Sequence, residues 1–301
     1  MRICIIINSH SGTAEKTSVS RLAELFAKYG VAVEILEPNE DTSIDELAKD
    51  AAKRDFEIIV AGGGDGTINA VASALVGNKE KKLGVLPLGT FNHFARDLGV
   101  PLEIEPAVEN IVKGAVRSVD VGEVNGRIFL NNSCLGLYPS IVRLRESLQK
   151  SGYSKLRAVL RASFHVVMRF SRLYLELHPA TGPTLRRNTL VLFIGNNAYE
   201  TSLTQLGTRS SLEQGQLWVM MPTASGRWSL FASFLAILAG REKSTDIFTF
   251  EGEKLTVASG RRRLKVAVDG EVLHLKPPLN YRIRPQALHV IVPAANNAAQ
   301  D

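Results

Sequence analysis

The sequence predicts an α/β + all-β protein: an open parallel α/β domain at the N-terminus, followed by an antiparallel β-sandwich domain with helical inserts. Strand-like and helix-like runs alternate through the first third of the 301 residues. From about Val119 onward the pattern changes to short strand-like runs separated by turns. With 45% hydrophobic and 22% charged residues, the chain has the composition of an ordinary globular protein. We therefore place the domains at residues 1–118 and 119–293, and expect residues 294–301 to be disordered.

The elements of the first domain follow from the spacing of apolar residues. Continuous β-branched runs predict buried parallel strands, and apolar residues at helical spacing predict the helices between them. Gly30 is expected to end the first helix, and Ser43 with Glu46 forms a capping-box signature at the start of the second. The predicted order is strand 3–7, helix 19–27, strand 31–36, helix 44–51, strand 56–60, helix 68–75 and strand 83–86.

The second domain is predicted from strand-like runs bounded by turn residues, a pattern typical of a sandwich or barrel. Helical periodicity interrupts these runs near 154–170 and near 228–238. The predicted strands are 127–130, 173–177, 189–194, 216–221, 247–250, 254–258, 264–268 and 281–283.

A glycine-rich loop follows the predicted strand 56–60 and reads Ala61-Gly-Gly-Gly-Asp-Gly-Thr67. Glycines allow positive φ angles and close approach, so that successive amides can converge on an anion, and the next helix adds the positive end of its dipole. Thr67 is a candidate N-cap, and Asp65 is placed where a nucleotide-bound Mg2+ could meet it. The spacing fits neither a Walker A loop nor a dinucleotide fingerprint. The loop predicts a phosphate-binding turn, and the alternative is a glycine-rich turn with a solvated carboxylate.

Two more loops of small and polar residues follow predicted strands. One is Asn8-Ser-His-Ser-Gly12, and the other runs from Leu86 to Gly99 and contains Gly89, Thr90 and Asn92. Either loop by itself reads equally well as a capped turn. Because parallel strands end at the same edge of a sheet, the three loops together predict a rim around one anionic ligand.

Four motifs in combination resemble the diacylglycerol kinase catalytic-domain family, which includes sphingosine and ceramide kinases and many bacterial lipid kinases. These are Asn8–Gly12, Gly63–Thr67, Pro87–Asn92 continuing through Arg96, and Asp269–Glu271. The resemblance extends through Phe129–Leu137 and so spans nearly the whole chain. It implies that ATP and Mg2+ bind to the α/β domain and that the β-sandwich domain holds a lipid acceptor.

The resemblance also implies roles for particular residues. Glu271 corresponds to the general base that accepts the hydroxyl proton, and Asp65 is the reserve candidate for that role. On spacing alone, Val268-Asp-Gly-Glu271 reads as a β-hairpin turn, because Asp-Gly is a favoured turn pair. The nucleotide-binding residues expected from the loops and the resemblance are Asn8, Ser11, Gly12, Gly62, Gly63, Gly64, Asp65, Gly66, Thr67, Asn69, Gly89, Thr90 and Asn92.

The chain departs from the family pattern at several positions. Phe91 stands where the family usually has Gly, and His93 stands where it usually has Asp, which makes the pocket wall bulkier and less acidic. Gln214 replaces an Asp that belongs to a structural Mg2+ site in bacterial members. A neutral amide is a weak ligand for a hard cation, so a metal site at Ser211, Gln214 and Gln216 is in doubt.

Charge and composition bear on partners and location. The net charge of +6 comes largely from the segment 143–172, where a helix over 154–172 would carry a basic face suited to an anionic membrane surface. The alternative is a surface helix that covers the sandwich. The stretch 228–239 is shorter than the roughly 20 residues that a membrane span needs. Two cysteines fit a reducing cytoplasm.

These observations lead to one hypothesis and two rivals. The hypothesis is an ATP- and Mg2+-dependent lipid kinase that contacts the membrane peripherally and phosphorylates a diacylglycerol-like hydroxyl. The rivals are a kinase for a soluble acceptor such as NAD, and a non-catalytic member that binds nucleotide or lipid. No nucleic-acid-binding module is expected, and a homodimer stays open.

Overall fold

The structure is a computed structural model that describes residues 1–8, 19–136, 172–199, 209, 211–222 and 247–294. The chain forms two compact units, Met1–Val121 together with the chain from Arg284 onward, and Gly122–Ile283. Residues 284–293, which the sequence boundary grouped with the sandwich, thus belong to the first unit, because one long strand runs from one unit into the other. The predicted helical inserts near 154–170 and 228–238, the basic segment up to 171, and the tail 295–301 lie outside the described residues.

The first unit is an open sheet of parallel strands with helices packed against it. The strand order is β2-β1-β3-β4, and the end of β16 adds in parallel beside β4 through Val290 and Leu83. Helix α1 packs on α5, while α2 packs on α3, so the helices form two pairs. The elements are β1 (Ile3–Ile7), α1 (Val19–Ala27), β2 (Val33–Leu36), α2 (Ile44–Lys53), β3 (Ile58–Gly63), α3 (Asp65–Leu75), β4 (Lys82–Pro87), α4 (His93–Asp97), α5 (Ile104–Lys113), and parts of β5 (Ala115–Val124) and β16 (Leu279–Val292).

Local signals in the sequence account for these elements. Every residue of β1 and of β3 is buried, as expected for parallel strands covered on both faces. The capping box at α2 is present: Glu46 N–H donates to Ser43 Oγ at 3.3 Å, and Ser43 N–H donates to Glu46 Oε2 at 2.8 Å. The hydrogen bonds from Ser43 hold the pKa of Glu46 below its usual range. Gly30 ends the first helix region with a φ of 70°, as predicted.

The start of α3 differs from the prediction. The helix begins at Asp65 rather than Ile68, and its N-cap is Gly64, so the assignment of Thr67 as N-cap was wrong. Strand β3 continues through Gly63, because the glycines still pair with β4. The helix therefore starts as soon as the strand ends.

The second unit is a β-sandwich. One sheet has the strand order β12-β11-β10-β7-β14-β15, and the facing sheet contains β9, β8, β13 and the first part of β16, with β5 and β6 pairing beside it. Its further elements are β6 (Arg127–Phe129), β7 (Asn132–Gly136), β8 (Leu173–Pro179), β9 (Leu185–Thr189), β10 (Val191–Asn196), β11 (Leu217–Pro222), β12 (Ile247–Gly252), β13 (Lys254–Ala258), β14 (Leu264–Val268) and β15 (Glu271–Leu275).

The core of the sandwich draws on alternate residues from both sheets. Leu173, Leu175 and Leu177 of β8 are buried against residues such as Leu192 and Ile194 of β10. The predicted sandwich is confirmed, but the single run 189–194 is in fact the end of β9 and the start of β10. The sequence prediction omitted β5, β7, β9 and β15, whose residues do not alternate cleanly between apolar and polar.

In the described part of the chain, no helix combines the length and the apolar character that crossing a membrane requires.

Both cysteines of the sequence are buried, Cys4 in β1 and Cys134 in β7. Burial raises the pKa of the Cys4 thiol from 9.0 to about 12, and burial also raises the pKa of Cys134. Unfolded thiols ionise near the ordinary value, so the stability that comes from keeping them protonated is complete below pH 9.0 and is lost as the pH rises toward about 12.

We therefore predict that a thiol reagent at about pH 9 leaves both cysteines of the native protein unmodified and modifies both after unfolding in guanidinium. Denaturant unfolding across the same alkaline range is expected to show falling stability, less steeply in a Cys4→Ala variant. Rapid labelling of the native protein would contradict the prediction.

Candidate active site

The first residues after β1, β3 and β4 leave the parallel sheet side by side at its carboxyl edge. Ile7 pairs with Gly62, and Gly63 pairs with Pro87, so the three strands end at the same level. Because the strands are parallel and adjacent, the predicted rim is formed by the first residues after each of them.

Backbone hydrogen bonds extend the sheet into this rim. Asn8 N–H donates to Gly62 O at 2.9 Å, and Leu88 N–H donates to Gly63 O at 3.0 Å. Asn8 is half-buried at this edge. Two predicted ligands of the first loop lie outside the described residues: Ser11 and Gly12.

The second and third loops touch through their glycines. A Cβ on Gly89 would overlap the Cα of Gly64 and would lie 2.8 Å from Asn92 Oδ1. A Cβ on Gly63 would lie 2.5 Å from the hydroxyl of Thr67, which is buried in the first turn of α3. Glycine is required at both positions, because a side chain on Gly89 would separate the two loops and a side chain on Gly63 would displace Thr67.

The glycine loop thus differs from its sequence interpretation. We expected positive φ angles, but none of its glycines has one, and Gly64 has a φ of −86°. A Cβ on Gly62 would lie 3.3 Å from Ile7 Cγ1, whereas no described atom lies within 4 Å of the corresponding position on Gly66. Gly66 is exposed at the start of α3, so its backbone is open to a ligand.

Asn92 shapes the third loop from within. It adopts the left-handed conformation, with a φ of 52° and a ψ of 45°, and its side chain is buried. Its Oδ1 accepts the N–H of Gly89 at 3.0 Å, and its Nδ2 donates to Pro87 O at 3.1 Å and to Gly89 O at 2.9 Å. Both amide hydrogens are used inside the loop, so Asn92 shapes the loop, and of its side-chain atoms only Oδ1 has hydrogen-bonding capacity left for a ligand.

Asp65 connects the starts of two helices. It is the first residue of α3, and its half-buried carboxylate accepts N–H groups from the first turn of α4, from His93 and from Phe94, each at 3.3 Å. A carboxylate in this position stabilises the N-terminus of α4. Asp65 therefore holds the glycine loop and the third loop together as well as facing the rim.

The remaining predicted residues of the rim have different surroundings. Thr90 is exposed, and Asn69 accepts the Ser73 hydroxyl hydrogen bond at 3.3 Å on the surface of α3. Phe91 is 53% exposed and stacks on the ring of His93, with centroids 5.6 Å apart and planes within 7°.

Arg96 is a rim residue that received no role from the sequence. It is exposed, and its Nε donates to the carbonyl of Phe91 at 3.1 Å, which brings a cation to the third loop. Its position in the Pro87–Arg96 motif, one helical turn after Asn92, is the signal that marks it.

Glu271 lies in the second unit, at the start of β15, with its side chain exposed. Asp269 and Gly270 form the turn between β14 and β15 with φ angles of 44° and 90°, so the hairpin interpretation of Val268–Glu271 is correct. The hairpin does not remove the carboxylate from consideration, because Glu271 is the first residue after the turn and faces solvent.

Comparison with known proteins identifies the family. A family model described as the diacylglycerol kinase catalytic domain matches residues 2–124. A Pseudomonas syringae pv. syringae protein named a probable YegS-like lipid kinase is 32% identical over 254 residues, which are 82% of this chain and 80% of that protein. The chain belongs to the diacylglycerol kinase catalytic-domain family. The resemblance stated from the motifs is confirmed, and the chain is a kinase of the lipid kinase family.

Other relatives agree. A Bacillus subtilis diacylglycerol kinase is 49% identical to this kinase over 86 residues, 28% of each protein. A solved structure of a diacylglycerol kinase from Bacillus anthracis aligns over 99% of this chain and 98% of that chain, with a TM-score of 0.69 at 20% identity. A second structure from that organism covers 97% of both chains, with a TM-score of 0.76 at 22% identity. These structures confirm the predicted fold.

The doubtful structural metal site of this kinase does not fit Mg2+. Gln214 Oε1 accepts the N–H of Ala198 at 3.0 Å, and Ser211 Oγ accepts the N–H of Glu213 at 3.1 Å. The backbone N–H of Gln216 donates to an asparagine side chain. These oxygens are neutral and so are weak ligands for a hard cation, and the described residues contain no group of three or more His, Cys, Asp or Glu side chains that could hold a metal ion.

The contact between Gly89 and Gly64 leads to a matched pair of substitutions. We predict that Gly89→Ala destabilises the kinase by about 1–3 kcal/mol, because the added methyl group overlaps the neighbouring loop. Gly66→Ala should change stability by less than about 0.5 kcal/mol, because its methyl group would enter open space at the start of a helix. Denaturant unfolding of both variants measures the difference, and equal stabilities would show that the loops do not depend on their close approach.

Proposed function

We propose that this kinase transfers the γ-phosphate of ATP to a hydroxyl of diacylglycerol or a closely related lipid. The observation that carries the proposal is the contact between the glycine loop and the Pro87–Asn92 loop at the carboxyl edge of the parallel sheet. Adjacent loops at such an edge form the usual ligand crevice of open α/β sheets. The names of the relatives favour a lipid as the acceptor.

The start of α3 supports binding of the phosphates. The first bond of the helix runs from Ile68 N–H to Gly64 O, so the N–H groups of Gly66 and Thr67 come before it and point out of the helix end. These amides and the helix dipole favour an anion next to the open backbone of Gly66. Arg96 adds a full positive charge on the neighbouring loop.

Mg2+ fits this rim through Asp65. A carboxylate oxygen is the ligand that this cation prefers, and the ion would neutralise charge on the phosphates when bound. Asp65 would hold the ion while its contacts with α4 keep the carboxylate oriented.

Glu271 is the proposed general base. As the acceptor oxygen forms a bond to the γ-phosphorus and the bond to the ADP oxygen breaks, the hydroxyl proton passes to the Glu271 carboxylate. The exposed side chain is open to an acceptor, and Asp65 remains the reserve candidate for the same role.

The proposed acceptor resides at a membrane surface, which the kinase would reach as a cytoplasmic protein by peripheral contact through the basic segment 154–172. A soluble acceptor such as NAD would leave this basic segment without a substrate-related role.

The proposal is tested with purified protein, γ-labelled ATP and Mg2+. Diacylglycerol, sphingosine and ceramide in mixed micelles, and NAD in solution, are offered separately. We expect labelled phosphatidic acid from diacylglycerol. Label in NADP would replace the proposal with a soluble-acceptor kinase, and ATP binding without any product would indicate a non-catalytic member.

The role of Glu271 predicts that Glu271→Gln lowers kcat roughly 100- to 10,000-fold. Because the side chain is exposed, the melting temperature should stay that of the wild type. Glu253→Gln, another exposed glutamate of the same unit, is the control and should keep full activity. If Glu271→Gln retains wild-type kcat, the base is Asp65, and Asp65→Asn should then abolish turnover.

Because the position at Gly66 is open, we predict that a side chain there affects ATP binding without affecting protein stability. Gly66→Ala should raise the KM for ATP while leaving the KM for the lipid and the melting temperature near those of the wild type. A rise in the lipid KM instead would place the acceptor, rather than the phosphates, at this loop.

A further inference from the structure

A buried arginine holds the loop ends of the β-sandwich. Arg209 is only 7% exposed, and its guanidinium Nη1 donates to Leu130 O at 2.6 Å and to Asn196 O at 3.1 Å. Its Nη2 donates to Asn131 Oδ1 at 3.0 Å. Three oxygens from two segments of the chain therefore converge on one buried positive charge.

The carboxylate of Asp269 binds the other side of the segment 130–132. Asp269 accepts the N–H groups of Leu130 at 2.7 Å, Asn131 at 2.9 Å and Asn132 at 3.0 Å. The backbone N–H of Asp269 in turn donates to Asn132 O at 2.9 Å. The segment 130–132 is thus fixed on its oxygen side by Arg209 and on its amide side by the residue that begins the hairpin turn before Glu271.

Neighbouring polar groups add to this network. The hydroxyl of Tyr199 donates to Asn131 O at 3.0 Å, and Asn196 Nδ2 donates to Leu130 O at 2.9 Å. The guanidinium of Arg209 also lies 5.6 Å from the centre of the Tyr199 ring. Hydrogen bonds inside a protein are stronger than hydrogen bonds on its surface.

The network reaches the loop where the family's structural metal would be expected. Asn197 has a φ of 66°, its N–H donates to Gln216 O at 3.0 Å, and its Oδ1 accepts the Gln216 N–H at 3.4 Å. The next residue, Ala198, donates to Gln214. The residues that fail to fit a metal are therefore held by the same segment, 196–198, that Arg209 binds.

We propose that Arg209 acts as a buried cation in the second unit: it holds segments 130–132 and 196–198 together in place of a metal ion and thereby positions the Asp269–Gly270 turn and Glu271. A guanidinium suits this task because it stays charged and presents five donors in a rigid plane. Arg209 is a positioning residue, since it acts on the reaction through Asp269. The role of Arg209 in holding these segments is independent of the proposed function, whereas its effect on catalysis rests on the proposed function.

Metal independence is tested by thermal unfolding in EDTA and in Mg2+, without nucleotide. The measurement uses the wild type and Asp65→Asn, so that any ion at the nucleotide loop is recognised by its loss in the variant. We expect the melting temperature of Asp65→Asn to be the same in both solutions. A Mg2+-dependent increase that persists in Asp65→Asn would overturn the proposal.

Substitution of the arginine tests the network directly. Arg209→Met should lower the melting temperature on the order of 10 °C, because buried carbonyls lose their donors. The melting temperature of Arg209→Lys should lie between those of Arg209→Met and the wild type, because lysine keeps the charge but lacks the planar set of guanidinium donors. Arg262→Met, in an exposed turn of the same unit, is the control. If Arg209→Met does not fold, the melting temperatures of Arg209→Lys and Tyr199→Phe are compared with that of the wild type instead. Melting temperatures equal to that of the control would overturn the proposal.

A kinetic cycle separates positioning from general stability. Below the melting transition, Arg209→Lys should lower kcat while the KM for ATP stays unchanged. Combined with Glu271→Gln, it should cause no further loss, because both changes act on the same group. Additive losses would overturn the positioning role. If the wild type transfers no phosphate to any acceptor, the proposed function fails, and the unfolding experiments still decide the role of Arg209.

Discussion

The close approach of Gly64 and Gly89 is the constraint on which the candidate active site depends. These two backbones meet because β3 and β4 are adjacent parallel strands that end at the same level. A side chain on Gly89 would push the loops apart, and the contacts of Asp65 and Asn92 would be lost with them. The glycines are therefore needed first to pack one loop on the other, and Gly66 is the position at which the backbone stays open to a ligand.

Asp65 links the packing of the two loops to the proposed chemistry. Its carboxylate accepts the first amides of α4 while it stands at the start of α3, so two helix ends with positive dipole character meet at one negative charge. Such a carboxylate is held in a single orientation by the fold. This preorganisation suits a metal ligand, because no side-chain freedom has to be lost when the ion binds.

In the second unit, too, backbone amides hold a carboxylate in place. Asp269 was of interest in the sequence as part of a motif around Glu271, and in the structure its carboxylate accepts three successive amides instead of facing solvent. Arg209 supplies the opposite charge on the other side of the segment 130–132. The motif thus combines an aspartate that binds backbone amides with a glutamate whose side chain is exposed.

By itself, the sequence determined the α/β and sandwich classes, the order of most elements, the capping box at Ser43 and the loops that follow β3 and β4. These are local properties, because each depends on the periodicity or turn chemistry of a few neighbouring residues. The sequence did not show that β16 returns to the first sheet, that α3 starts at Asp65, or that Asn92 points into its own loop. Nor did it single out Arg209, whose three partners lie 13 to 79 residues away along the chain. Only the tertiary structure decided these points, because they depend on which distant backbone groups meet.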